Sequence, residues 1–379
     1  MTTTLVEGTC APRFTPVQDT FGGLLESGMD VGASVAVAVD GVLAVDLWGG
    51  FADGERTRPW QRDTIVNVFS TTKTMQALTA LVIADRGGLD LDAPVARYWP
   101  EFAANGKADV RVRHLLGHTS GLSGWEEPLA IEDLYDWEKA TGLLAAQAPW
   151  WAPGTAAGYH ALTQGFLVGE VVRRATGRTL GEFFATEIAA PLRADFHIGL
   201  DPRHDARVGR VIPPATGLPR AGDGDSIAVR TLSNPPLRAE ATWTAPWRRA
   251  ELAAVNGHGN ARSVATVQSV VACGGMAGGV RLLSERGCDM IFAEQAHGQD
   301  LVLGVPVRMG MGYGLTSPET PLGPNPRTCF WGGWGGSLVV VDRDARMVVA
   351  YVMNRMGEGT LGDARGISLV MAAYASLAS

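Results

Sequence analysis

The chain has 379 residues, 46% of them apolar and 19% charged, enough apolar material for one large core or two closely packed ones. Its formal net charge of -7, with arginines scattered and no basic patch, argues against a nucleic-acid partner. No apolar run reaches membrane-spanning length, so no membrane partner is expected either.

The opening stretch MTTTLVEGTCAPRFTP carries neither a basic leader nor an apolar h-region, so no signal peptide is expected. Cys10, Cys273, Cys288 and Cys329 are far apart and form no CxxC pair. That is the pattern of reduced structural thiols in a cytoplasmic protein.

Residues 33–50, ASVAVAVDGVLAVDLWGG, read as two apolar strands around Asp40-Gly41, a pair suited to the positive φ angles of a tight hairpin. From Met75 the spacing turns helical, with Met75, Leu78, Leu81 and Val82 on one face and Gly87-Gly88 as the stop. Residues 89–200 are mostly helical in pattern. Residues 201–250, rich in Pro, Gly and Arg with VIPPATGLPR and SNPPLR, read as a long irregular surface excursion, part of a substrate entrance.

Near the end, FWGGWGGSLVVVDRDARMVVAYVMN reads as three strands with a turn at Asp342–Ala345. Leu338–Val341 and Met347–Met353 are apolar nearly throughout, so helices should cover both faces of their sheet, ARGISLVMAAYASLAS among them. The expected architecture is an α/β sheet domain from both chain ends, residues 1–78 and 255–379. A mainly helical insertion, residues 79–254, leaves the active site between the two.

Of the 32 basic residues only Lys73, Lys107 and Lys139 are lysines. Lys73 follows Ser70 by three positions at the start of the predicted helix, so the two side chains share a face. A lysine becomes a base when burial lowers its pKa, which an arginine cannot match. By itself SxxK fits a capped helix with a solvent-facing lysine equally well. Tyr159, after the Pro153-Gly154 turn, presents a phenol ahead of a second helix, able to relay protons if lysines lower its pKa. Its plain alternative is a buried aromatic with a bonded hydroxyl. WGGWGGS, residues 331–337, opens a predicted strand with glycines that let a backbone or ligand approach and could supply an oxyanion donor.

SxxK, then Tyr after Pro-Gly, then a glycine-rich strand start is the order found in serine β-lactamases and penicillin-binding proteins. From about residue 30 to the C-terminus the chain resembles the family VIII carboxylesterases, esterases of the class C β-lactamase type. DTIVNVFSTTKTMQALTALVIADRGGLDLDAPVARYWPEF, VRVRHLLGHTSGL, PGTAAGYHALTQGFLVGEVVRRATG and NGHGNARSVATV carry that likeness. The resemblance implies a class C β-lactamase-like fold, an antiparallel sheet flanked by helices with a helical insertion. It implies Ser70 as the acylated nucleophile, Lys73 as base or proton relay, Tyr159 as their partner, and an oxyanion hole from the Ser70 and Trp334 N–H groups. The Lys-Thr-Gly triplet of β-lactamases reads Trp331-Gly332-Gly333 here, and Tyr-x-Asn reads Tyr159-His160-Ala161. Neither replacement can hold an antibiotic's carboxylate or side chain as the originals do. The expectation is therefore a cofactor-free serine esterase acting on small carboxylic esters, with an apolar or aromatic substrate. The alternatives are a β-lactamase, amidase or acyltransferase on the same scaffold, or a non-catalytic binding protein.

Expected pocket residues are Trp331, Gly332, Gly333 and His160, with Trp137, Trp150 and Trp151 as further candidates from the helical block. His114 and His118 stand at zinc-like spacing, but no glutamate of HExxH and no third ligand accompanies them, so both read as structural and no metal is expected. No GxSxG elbow occurs, and the glycine clusters lack the context of a dinucleotide site.

Overall fold

A computed structural model describes residues 6–214 and 224–378. Nine strands form one antiparallel sheet: β1 (Val6–Cys10), β2 (Gly32–Val39), β3 (Val42–Gly50), β4 (Ala296–Gln299), β5 (Pro306–Met309), β6 (Gly314–Leu315), β7 (Thr328–Gly332), β8 (Leu338–Asp342) and β9 (Met347–Met353). Their order across the sheet is β1-β3-β2-β9-β8-β7-β6-β5-β4, so strands from the two ends of the chain meet where β2 pairs with β9. Asp40 and Gly41 take φ of 51° and 77° and close the β2–β3 hairpin as their chemistry requires.

Every residue of β8 and β9 is buried. Successive strand side chains point to opposite faces, so both faces must be covered. Helices α1 (Thr15–Glu26), α2 (Thr72–Asp85), α3 (Thr163–Thr176), α4 (Ile227–Ser233), α5 (Ala261–Ala272) and α6 (Ala364–Ala378) are the longer or site-forming ones. Of these, α5 packs on β2, β8 and β9, whereas α1 and α6 pack on each other and α6 also meets β9.

Helix α2 departs from the one-sided helix of the sequence reading. All of Thr72–Ile83 is buried, its polar positions included, so it runs through the interior instead of along a surface. It ends at Gly87, with φ of 78°, as expected. The expected irregular excursion is partly ordered: 3-10 turns at Pro202–Arg207 and Ala239–Trp243 alternate with α4 and a helical turn at Ala245–Arg249. Nor is it wholly superficial, because Thr231, Ala239 and Trp247 are buried. The ATGLPR half of VIPPATGLPR lies outside the described residues.

Candidate active site

Ser70 sits at a sharp change of direction. The short strand Val66–Asn67 pairs with His258–Gly259, and one 3-10 turn, Phe69–Thr71, then leads into α2. Phe69 takes φ of 45°, a left-handed conformation that is strained for a bulky aromatic residue. Its ring is held edge-on by Trp334 at 5.1 Å between centroids. The residue before the serine is thus bent, and the hydroxyl is turned toward a cleft.

Lys73, one turn further along, places Nζ 3.3 Å from Ser70 Oγ. Its other contacts are two carbonyl oxygens, Ala161 O at 2.8 Å and Ala254 O at 3.0 Å, and no ion-pair partner reaches it among the described residues. Only 1% of the residue is exposed, and burial holds its pKa well below 10.5. A neutral amine has two N–H bonds and one lone pair. In the unprotonated form that burial favours, the two carbonyls would take the N–H groups and the lone pair would face the Ser70 hydroxyl.

The Tyr159 hydroxyl donates to Ser70 Oγ at 2.5 Å, and Lys73 Nζ lies 4.8 Å from the centre of its ring. The sequence reading expected lysine to lower the phenol's pKa. The structure differs: burial pushes it above 10.0, and the nearby Asp300 carboxylate pushes in the same direction. Ser70 Oγ therefore accepts from the phenol and lies within hydrogen-bond reach of the amine.

Asp300 escaped the sequence reading. Its buried Oδ1 accepts the N–H groups of Tyr159 at 3.0 Å and of Val302 and Leu303 at 2.8 Å each, fixing the backbone that carries the phenol. No sequence signal marks it, since 141 positions separate it from Tyr159.

The N–H groups of Ser70 and Trp334 have no partner among the described residues. They are brought together by Gly333: a Cβ there would lie 3.3 Å from the Ser70 nitrogen and 2.3 Å from Val68 O. Only a glycine lets the β7–β8 connection approach the serine this closely.

The cleft above Ser70 has a volume of about 230 Å³. Leu162, the Thr231–Leu237 segment, Val302, Leu303 and Trp334 form most of its wall, and no charged side chain lines it among the described residues. The expected pocket residues lie elsewhere. The Trp331 ring stacks on His118 at 5.7 Å and leans on Tyr159, behind the phenol. Gly332 packs against Leu361, and Gly333 against Val68 and Ser337. His160 is buried, bonded to Ser120 Oγ at 2.7 Å and to Gly158 O at 2.5 Å, with its pKa drawn down to about 3 by burial. Trp137 donates to Glu170 and packs on Phe166, Trp150 lies under the Arg230 guanidinium, and Trp151 donates to Ala156 O. The tryptophans expected in the pocket pack around the site instead, and the cleft is lined by aliphatic residues together with Phe69, Tyr159 and Trp334.

The two histidines of HLLGH have separate roles. His114 Nδ1 accepts the Arg111 N–H, and His118 Nδ1 accepts the His160 N–H at 3.0 Å.

A buried serine between a buried amine and a phenol, beside two N–H groups without a partner among the described residues, is an arrangement suited to nucleophilic acyl chemistry. The sequence model of the Beta-lactamase family matches residues 18–372, and the chain belongs to that family. A solved structure described as a family VIII carboxylesterase superposes with a TM-score of 0.93 at 44% identity, covering 98% of this chain and 100% of that one. The esterase/beta-lactamase LipL of Mycobacterium tuberculosis is 34% identical over 93% of this chain and 83% of its own length. Esterase EstB of Burkholderia gladioli is 37% identical over 43% of this chain and 45% of its own.

Proposed function

We propose that this protein is a serine carboxylesterase that hydrolyses small uncharged carboxylic esters through an acyl-enzyme on Ser70. The observation that carries the reading is the Ser70 hydroxyl, held between Lys73 Nζ and the Tyr159 phenol at the floor of a cleft that no charged side chain lines among the described residues. The esterases among its relatives support the reaction class. The four cysteines are all free, which supports a cytoplasmic setting.

In this mechanism the lone pair of Lys73 removes the Ser70 proton as Oγ attacks the ester carbonyl. The oxyanion forms against the Ser70 and Trp334 N–H groups. The ammonium then returns a proton through Tyr159 to the departing alkoxide, leaving acyl-Ser70 and a neutral amine. Water, deprotonated by the same pair, attacks the acyl-enzyme and regenerates the serine. No cofactor or metal takes part in these steps.

The test is turnover of p-nitrophenyl acetate and butyrate, and separately of nitrocefin, by the protein and by Ser70→Ala and Lys73→Ala. Ester turnover lost in both variants is the expected result. Full ester turnover by Ser70→Ala would end the proposal. Rapid nitrocefin turnover without ester activity would favour a β-lactamase.

A further inference from the structure

Behind the Trp334 loop lies a buried charged cluster that the mechanism above does not use. Arg365, at the start of α6, and Asp30 are 7% and 1% exposed. Arg365 Nη1 donates to Asp30 Oδ1 at 2.7 Å, and Nη2 to Asp363 Oδ2 at 2.6 Å. The Tyr351 hydroxyl lies 2.7 Å from both Asp30 oxygens. Such a cluster is costly to bury and contributes little net stability by itself, so its geometry invites another explanation.

Nη2 of Arg365 also donates to the Gly335 carbonyl at 2.7 Å, one residue beyond Trp334. Gly357 N–H donates to the same oxygen at 2.7 Å, and Gly335 N–H donates to Gly359 O at 2.8 Å. The carbonyl of Gly333 accepts from Gly336 N–H at 3.2 Å and from Gly362 N–H at 3.3 Å. In a trans peptide the carbonyl and the N–H point in opposite directions. Anchoring the Gly333 carbonyl therefore aims the Trp334 N–H away from these donors. Gly336 completes the fit: a Cβ there would stand 2.6 Å from Arg365 Nη2 and 2.7 Å from Asp363 Oδ2, at φ of 131°.

We infer that Arg365, locked by Asp30 and Asp363, is a positioning residue that aims the Trp334 N–H at the oxyanion of the acyl-transfer step. This rests on the acyl-enzyme reading above. Arg365 touches no substrate. It acts through the Gly335 carbonyl and the 357–363 segment, and a shift of that turn withdraws a donor whose outright removal typically costs about 10²–10³ in kcat.

The experiment compares the full chain with Arg365→Met, Arg365→Lys and Asp363→Asn, each checked for folding by circular dichroism. The probes are p-nitrophenyl butyrate, an alkyl trifluoromethyl ketone that Ser70 can add to, and the matching trifluoromethyl alcohol that it cannot. Arg365→Met should lose about tenfold or more in kcat with KM within about twofold, because a donor is misaimed and the cleft is unchanged. Affinity for the ketone should fall by the same factor and affinity for the alcohol should hold. Arg365→Lys should recover part of the loss, and Asp363→Asn, which loosens Nη2 and Nε but leaves the Nη1 bond to Asp30, should show a smaller loss of the same kind. A folded variant of either residue with kcat and ketone affinity at the parental level would overturn the assignment. So would an equal loss of ketone and alcohol binding, which marks general damage to the cleft. Ketone affinity in the parent that survives Ser70→Ala would instead sink the acyl-enzyme reading itself.

Discussion

Lys73 Nζ faces Ser70 Oγ at 3.3 Å from inside a helix buried on every side, with carbonyls and no carboxylate as its other partners. Burial without a counter-charge lowers a lysine's pKa, which supports the proposed role of Lys73 as a base. The consequence is a pH profile with a defined sign. The amine works only when unprotonated, so kcat/KM rises with pH through the lowered pKa and falls as pH drops beneath it. That acid limb should lie well below 10.5 and should vanish in Lys73→Ala, which keeps on the order of 10⁻³ of the activity. Stopped assays of p-nitrophenyl butyrate from acid to alkaline pH read both. A profile unchanged in shape by Lys73→Ala would contradict the assignment.

Tyr159 should show no alkaline counterpart. Its phenol is held above 10.0 by burial, so kcat/KM should stay level up to about that pH with the proton still available to the leaving group. Tyr159→Phe should lose about 10²-fold or more in kcat while keeping the acid limb of Lys73. Loss of that limb in the phenylalanine variant would make the phenol, not the amine, the titrating base.

Asp300 offers a test of positioning. Its Oδ1 takes three backbone N–H groups, so what holds the Tyr159 backbone is an acceptor oxygen at this position. Asp300→Asn keeps a carbonyl for the N–H groups of Tyr159, Val302 and Leu303, and should lie within about 1 kcal/mol of the parent in urea unfolding. Asp300→Ala strands buried donors and should cost at least about 2 kcal/mol, with kcat reduced about tenfold as Tyr159 drifts. Equal stability and activity in the two variants would refute this role.

The cleft's wall makes a selectivity prediction. Leu237→Ala should raise turnover of octanoate relative to acetate esters by about tenfold, since a methylene in an apolar pocket is worth about 1–3 kcal/mol. Trp137→Phe, outside the cleft, should leave kcat/KM within about twofold and cost about 1 kcal/mol through the lost bond to Glu170. A shift in acyl preference from Trp137→Phe and none from Leu237→Ala would reverse the two assignments.

What could be read in the sequence was local. Asp40-Gly41 specifies its own turn, two neighbouring apolar strands specify cover on both faces, and Ser70 and Lys73 meet because they are one helical turn apart. Lysine scarcity carried less than that spacing, for Lys107 is as buried as Lys73, bonded to Ala104 O and with no serine beside it. The cleft was legible only in part: the 201–250 excursion, read as part of a substrate entrance, supplies Thr231–Leu237, whereas Leu162, Val302 and Leu303 come from separate segments whose convergence depends on tertiary packing. The tryptophans misled for a physical reason: rings of that size gain by packing against the interior, so Trp331 is buried behind Tyr159 and the partly buried Trp137 lies against α3. The glycines of WGGWGGS were legible as sites of close approach, but what approaches is the chain itself, at Val68, Leu361 and Arg365.

Covalent capture tests the central claim most directly. The protein is mixed with excess p-nitrophenyl butyrate, quenched in acid during turnover, and digested for peptide mass mapping. One butyryl group on the peptide carrying Ser70, absent from Ser70→Ala, is the predicted result. A butyryl group on another residue, or steady turnover by Ser70→Ala, would contradict it.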